Sequence, residues 1–162
     1  MLLFKRISAL FALLLLGACG FEPAYTSSTT AASIRDAFVL KAPTDRGSYQ
    51  FYHNLKRQVS DNRLGRYVLS YSISTNTTNA AIDADGRSHR SILKGKLSYK
   101  ITLKKTGEMV KSNEINVFTS YSALASSVAS DASGRDATKR LMKILSDQLV
   151  DDLLLAAAKG EI

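Results

Sequence analysis

The chain has 162 residues, a length that fits one domain. It carries 22 Lys and Arg against 14 Asp and Glu, a net charge of +8, and it is 45% hydrophobic and 22% charged. That composition excludes a disordered chain, a multi-pass membrane protein and a collagen-like repeat. A single cysteine, Cys19, excludes an internal disulfide, and two histidines, His53 and His89, leave little material for a transition-metal site.

The first residues do not belong to the fold. Lys5 and Arg6 form a positive start, Ile7 to Leu16 is an apolar run, and Gly17 and Ala18 are small. The stretch from Ile7 to Ala18 is too short to cross a hydrocarbon core of about 30 Å as a helix. Charge, short apolar run and small residues together read as an export signal over residues 1–18. Leu16-Gly17-Ala18-Cys19 matches the lipobox of bacterial lipoproteins. The chemistry explains the residue types: small residues fit the signal peptidase, and a thiol is needed to take a diacylglyceryl group as a thioether. Cys19 then becomes the lipidated first residue. Two or more acyl chains give stable anchoring where one is marginal. Gly20, in place of the Asp that retains lipoproteins in the inner membrane, fits the outer membrane. Removing residues 1–18 takes Lys5 and Arg6 with it, lowering the charge from +8 to +6 and leaving 144 residues.

Residues 19–33 read as a lipidated start and a flexible tether, rich in Ser, Thr and Ala from Thr26 onward. Residues 34–162 read as one domain. Ala37 to Leu40 predicts a short strand before Pro43. Tyr52, Leu55 and Val59 lie at helical spacing, so Ser48 to Asp61 predicts a helix capped by Ser48 or Asp45. Asn62 to Gly65 would end it. Alternation then sets in. Tyr67, Leu69, Tyr71 and Ile73 share one strand face, and Val68, Ser70, Ser72 and Ser74 the other. A polar loop around Asp83-Ala84-Asp85-Gly86 follows. A second alternating strand puts Leu97, Tyr99, Ile101 and Leu103 on one face and Lys96, Ser98, Lys100, Thr102 and Lys104 on the other. Thr106-Gly107 supplies a turn. A third carries Ile115, Val117, Thr119 and Tyr121 opposite Asn116, Phe118 and Ser120. Ser122 to Ala132 fits either loop or weak helix. Ser133-Gly134-Arg135-Asp136 resembles a capping box. From there Ala137, Leu141, Ile144, Leu145 and Leu149 form one stripe of a helix running through Ala158, about 36 Å long. The expected fold class is α+β, a two-layer sandwich with two helices packed on one face of a four-stranded sheet.

The lipobox runs straight into Cys19-Gly20-Phe21-Glu22-Pro23-Ala24-Tyr25. This resembles the start of the mature lipopolysaccharide-assembly lipoproteins, commonly Cys-Gly-Phe-x-Pro-x-Tyr. The element order matches that family too, as does the approach from Tyr121 to Ala137 into a final helix with Leu141, Leu145 and Leu149. The resemblance covers the whole mature chain. It implies a non-enzymatic outer-membrane lipoprotein without a cofactor, attached to the membrane by its lipid anchor. Such proteins sit as a plug inside a large outer-membrane β-barrel, help it assemble, and bind lipopolysaccharide for delivery to the cell surface.

Arg87, Arg90, Lys94, Lys96, Lys100, Lys104 and Lys105 lie within 19 positions, and no acidic residue interrupts them. Lys96, Lys100 and Lys104 share a strand face, about 13 Å between successive cations. Alone, such a run reads as a solvated face that also guards a sheet edge. Beside the lipoprotein resemblance it reads as an anion-binding face for lipid A phosphates or for acids lining a barrel. Phe118, on the polar face, is a second candidate, for a barrel wall or an acyl chain. Nucleic acid is a poor fit, since an exported chain rarely meets it and no stacking platform accompanies the lysines.

His53 in the first helix and His89 in a loop have no second ligand at metal spacing. Asp83-x-Asp85-Gly86 lacks the twelve-residue calcium-loop pattern. There is no phosphate-cradling glycine loop and no nucleophile elbow. An anchored hydrolase therefore lacks a catalytic set. The other alternative is a stand-alone lipoprotein facing the periplasm, with an envelope-structural or small-lipid-carrier role.

Overall fold

The structure, a computed structural model, describes residues 34–82, 88–122 and 127–162. The order is β1 (Phe38–Leu40), α1 (Arg46–Gln58), β2 (Tyr67–Ile82), β3 (Ser88–Leu103), β4 (Met109–Ser122) and α2 (Ser127–Ala158). The four strands form one sheet in the order β1-β2-β3-β4. β1 runs parallel to β2, and the other neighbours are antiparallel. Both helices pack on one face, the expected α+β sandwich.

The two-residue repeat of the strands decides which side chains meet the helices. Leu69, Leu93, Leu97, Tyr99, Ile101 and Ile115 are buried from the sheet. Phe51 and Leu55 meet them from α1, and Leu141, Met142, Leu145, Leu149 and Leu153 from α2. Each such side chain contributes about 1.5–3 kcal/mol of transfer free energy. Gly95 lies on this inner face, and a Cβ there would sit 2.8 Å from Leu141 Cδ2. The missing side chain is what lets α2 settle onto β3.

α1 starts at a true capping box. Ser48 N–H donates to Asp45 Oδ1 at 2.9 Å, and Asp45 N–H donates to Ser48 Oγ at 3.0 Å. Asp45 is thus the N-cap, and the backbone bond from Ser48 holds its carboxyl below the usual range. The exposed edge of β1 is closed by the chain that follows α1. Leu40 N–H donates to Asp61 Oδ1 at 3.0 Å, and Asn62 N–H donates to Phe38 O at 2.9 Å. Tyr52 donates its hydroxyl to Asp61 Oδ2 at 2.7 Å, tying α1 to the same carboxylate.

Three elements differ from the sequence reading. β2 and β3 each run 16 residues, well past the alternating stretches. His89 consequently lies in β3 and not in a loop. α2 begins at Ser127, so it is about 48 Å long and Ser133-Gly134-Arg135-Asp136 falls inside it rather than capping it. The reason is in the side chains: Ala129, Ala132 and Gly134 are small, and Gly134 passes close to the Tyr121 ring. Ser122 ends β4, while 127–132 is helix. The turn at Thr106-Gly107 is present, with Gly107 at φ 74°, a left-handed conformation that suits glycine. The loop around Asp83 to Gly86 lies outside the described residues.

Where α2 ends, a polar cluster ties three elements together. Tyr99 O–H and Asn113 Nδ2 both donate to Asp152 Oδ2, at 2.5 and 2.8 Å. Lys111 lies 3.8 Å from Asp152 and 2.7 Å from Glu161. Burial raises the Asp152 pKa, but the bonds from Tyr99 and Asn113 and the Lys111 charge outweigh it, leaving it below 3.8. Tyr99 is pushed above its ordinary value, by burial first and by Asp152 second.

Two predictions follow the packing. Leu141→Ala should cost about 2–5 kcal/mol and Gly95→Val about 1–3 kcal/mol, read from denaturant midpoints. A Gly95→Val protein as stable as wild type would contradict the close approach of α2. The second concerns acid. A carboxylate with a depressed folded pKa contributes stability above its unfolded value of 3.8, and that contribution is lost as pH falls through the lower folded value. Asp152→Asn should therefore be less stable at neutral pH and lose less stability than wild type between about pH 6 and pH 2. Parallel curves for the two proteins would rule out Asp152 as a contributor.

Candidate anion-binding face

The face of the sheet turned away from the helices is built by even-numbered residues. The register places Ser74 beside Lys96 and Asn76 beside Lys94 on one side. Lys94 lies beside Phe118 and Lys96 beside Asn116 on the other. Backbone geometry alone therefore gathers these side chains from three strands. They surround a shallow depression of about 430 Å³, lined by Ser74, Asn76, Lys94, Lys96, Asn116 and Phe118 together with backbone of Thr75, Gly95 and Val117. Phe118 is 70% exposed, a large apolar ring lining the same depression as Lys94 and Lys96.

The other sites marked in the sequence fall as follows. Lys100 is exposed on the same face, between Ser70 and Ser112 in register. Arg90 is exposed toward the far end, beside Ser122. Cys19 and Arg87 lie outside the described residues. Lys104 does not continue the row. β3 ends at Leu103, and Lys104 sits in the following turn, where its ammonium donates to the Arg63 carbonyl at 2.5 Å. The strand's alternation stops where the strand stops, so parity could not place it.

One acidic residue escaped the sequence reading. Glu114 lies on the same face of β4, diagonal to Lys96, and pairs with it at 2.5 Å. Asn116 Nδ2 donates to the same carboxylate at 3.0 Å. The Lys96 bond, then the Asn116 bond, hold the Glu114 carboxyl below its usual range. The signal was present: extending the Asn116, Phe118, Ser120 alternation back by two residues reaches Glu114. Lys94 and Lys100 have no ion pair among the described residues. The face thus offers two unpaired ammonium groups, a third that an anion must share with Glu114, amide and hydroxyl donors, and an aromatic ring. It can hold a ligand that is both anionic and apolar.

Among the described residues no three His, Cys, Asp or Glu side chains converge as a metal site, and no helix is long and apolar enough to cross a membrane. His53 is exposed on α1, its ring edge-on to Tyr49 at 4.6 Å.

No protein-family model matches the chain, and no curated protein matches it either. Solved structures do. A candidate lipoprotein from Caulobacter crescentus CB15 aligns with a TM-score of 0.64 at 17% identity, over 81% of this chain and 96% of that one. The fold is one that bacterial lipoproteins use. Lipoprotein B from Nitrosomonas europaea aligns with a TM-score of 0.55 at 11% identity, over 70% of this chain and 78% of its own. A minor lipoprotein from Acinetobacter baumannii gives 0.51 at 17% identity, over 73% and 88%. At these identities the likeness is in the architecture, a sheet with one face covered by two helices.

Freeing Lys96 should strengthen anion binding. Glu114→Gln is expected to tighten binding of a soluble polyanion such as heparin by about two- to fivefold, the range of one exposed charge. Lys104→Ala should leave it within about twofold. Both are read by titration at low salt, and an unchanged Glu114→Gln affinity would remove Lys96 from the site.

Proposed function

We propose that this protein is a non-catalytic lipoprotein of the outer membrane that plugs a lipopolysaccharide-exporting β-barrel, helps it assemble, and binds lipopolysaccharide. The observation that carries the reading is the depression lined by Lys94, Lys96 and Phe118 on the sheet face that no described element covers. Lipid A is anionic at its phosphates and apolar at its acyl chains. Lysines that line one depression with an exposed aromatic ring match both parts. The lipobox at Cys19 and the shared architecture with solved lipoproteins support the same reading.

The physics gives each part a role. The lipid anchor confines the domain to the inner face of the outer membrane, which raises its concentration near a barrel partner. The covered face and its core keep the sheet rigid. The open face presents cations for phosphates, or for acids inside the barrel, at fixed spacing. Long, exposed lysines give reach and salt-sensitive attraction rather than a fixed bidentate clamp.

The test has two arms. Full-length protein purified in mild detergent should carry a stoichiometric large β-barrel. A monomer without one would sink the plug reading and leave the stand-alone lipid carrier. Reversing charge at Lys94, Lys96 and Lys100 together should weaken lipopolysaccharide binding by at least about tenfold, from three exposed charges. Unchanged affinity would exclude this face. Cys19→Ala should move the protein from the membrane to the soluble fraction, and continued anchoring would defeat the lipobox argument.

A further inference from the structure

β1 covers only the first three residues of β2, from Tyr67 to Leu69. Beyond it β2 continues to Ile82, and among the described residues no strand pairs with it on that side. The direction of the backbone groups there follows from the bonds at the start of the strand. Tyr67 N–H donates to Ala37 O, and Lys41 N–H donates to Leu69 O, so odd residues of β2 point their amides and carbonyls outward. Arg66 O accepts from Lys104 N–H, so even residues point toward β3. The β2–β3 register is regular through Asn79 and shifts only after it. Ile73, Thr75, Thr77 and Asn79 therefore present a regular row of outward N–H and C=O groups along about 20 Å of edge.

Proteins usually guard such an edge with lysine, proline, a bulge or a covering segment. β2 has no charged residue and no proline along its whole length, and Thr75, Thr77 and Asn79 are exposed. The outer edge of β4, by contrast, carries Lys111 and Glu114. The β1 edge is closed by Asp61 and Asn62, as described above. The helix-side floor beside the open edge is also unfilled. One hollow of about 280 Å³ is lined by Thr77, Leu93, Tyr121, Asp131, Arg135 and Thr138 among others. A second, of about 520 Å³, shares Arg135 and Thr138 and reaches Arg46 and Lys139. Arg46, Arg135 and Lys139 have no ion pair among the described residues. The acids nearby are Asp45, Asp131 and Asp136; Asp45 caps α1 and Asp136 is held by Arg140, which leaves more cations than acids. The floor is therefore net cationic.

We propose that the β2 edge from Ile73 to Asn79 is a docking site for an extended acidic segment of a partner protein, which adds to the sheet as a strand. Main-chain bonds to the outward groups give it register. Alternate side chains of the added strand turn to the helix side, where glutamate or aspartate meets Arg135 and Arg46. The other side chains join the serine and asparagine rim of the open sheet face. This edge shares Ser74, Thr75 and Asn76 with the rim of the depression around Lys94 and Phe118, but the inference does not depend on the lipopolysaccharide reading.

The probe is a labelled peptide of about nine residues, long enough for this edge, alternating glutamate with threonine and valine. It is titrated against the full-length protein in detergent by fluorescence anisotropy, with amide hydrogen exchange read in parallel. Thr75→Pro removes one outward N–H and leaves the even-numbered bonds to β3 in place. Arg135→Glu reverses the floor charge. The expected result is saturable binding, slowed exchange at Ile73, Thr75, Thr77 and Asn79, and a loss of at least about tenfold in each variant. A peptide with lysine in place of glutamate should not bind. Equal affinity for Thr75→Pro with an unchanged circular dichroism spectrum would overturn strand addition. Displacement of the peptide by equimolar inorganic phosphate would reduce the site to simple charge and overturn it too. A protein that is dimeric through this edge, with the four amides protected before peptide is added, would show that a second copy fills it and overturn the partner claim. Should Thr75→Pro fail to fold, the wild-type exchange pattern and Arg135→Glu decide the question.

Discussion

Everything in this structure depends on the period of two along β3. A strand can turn only alternate side chains toward a helix. In β3 the odd set, Leu93, Gly95, Leu97, Tyr99 and Ile101, lies under the helices, and the even set, Lys94, Lys96, Ser98 and Lys100, stands in solvent. A shift of one residue would bury the lysines and expose the leucines, so the hydrophobic core fixes the register of the charged face. Gly95 sits at the centre of both demands. Its missing side chain admits Leu141 from α2, and its backbone forms part of the depression between Lys94 and Lys96.

The covered and uncovered halves of the molecule therefore do different work. The covered half is tied at both ends, by Asp61 joining β1 to α1 and by Asp152 joining β3, β4 and α2. The open half holds its cations through β-sheet geometry, and Lys96 pairs with Glu114 inside the row. That pair sets how much positive charge the face offers. The likeness to solved lipoproteins at 11–17% identity fits this division: the packing pattern is kept while the side chains change.

Much of this was legible from residue order. The alternation of Tyr67, Leu69, Tyr71 and Ile73, and of Leu97, Tyr99 and Ile101, assigned the buried faces because one side of the sheet touches helices and the other does not. Asp45 was one of two named caps, and its bond from Ser48 N–H decides between them. What stayed hidden has physical causes. The far part of β2, Ser74 to Asn79, is polar on both faces because α1 is too short to cover it, so no alternation marks it as strand. The first two turns of α2 carry one large apolar residue, Val128, and it faces solvent, so a serine further along looks like the start of the helix. Lys104 was placed by counting through a strand end, and Glu114 was missed because it is close to Lys96 only across the ladder.

The central claim is that the open sheet face, and not the helical layer, meets the anionic ligand. The most direct measurement is a map of amide chemical-shift changes on titrating lipopolysaccharide into the isotopically labelled protein. The changes should centre on Asn76, Lys94, Lys96, Asn116 and Phe118, leaving α1 and the buried stripe of α2 unmoved. Changes centred on Tyr49, His53 and Lys139, along the groove between the helices, would contradict it.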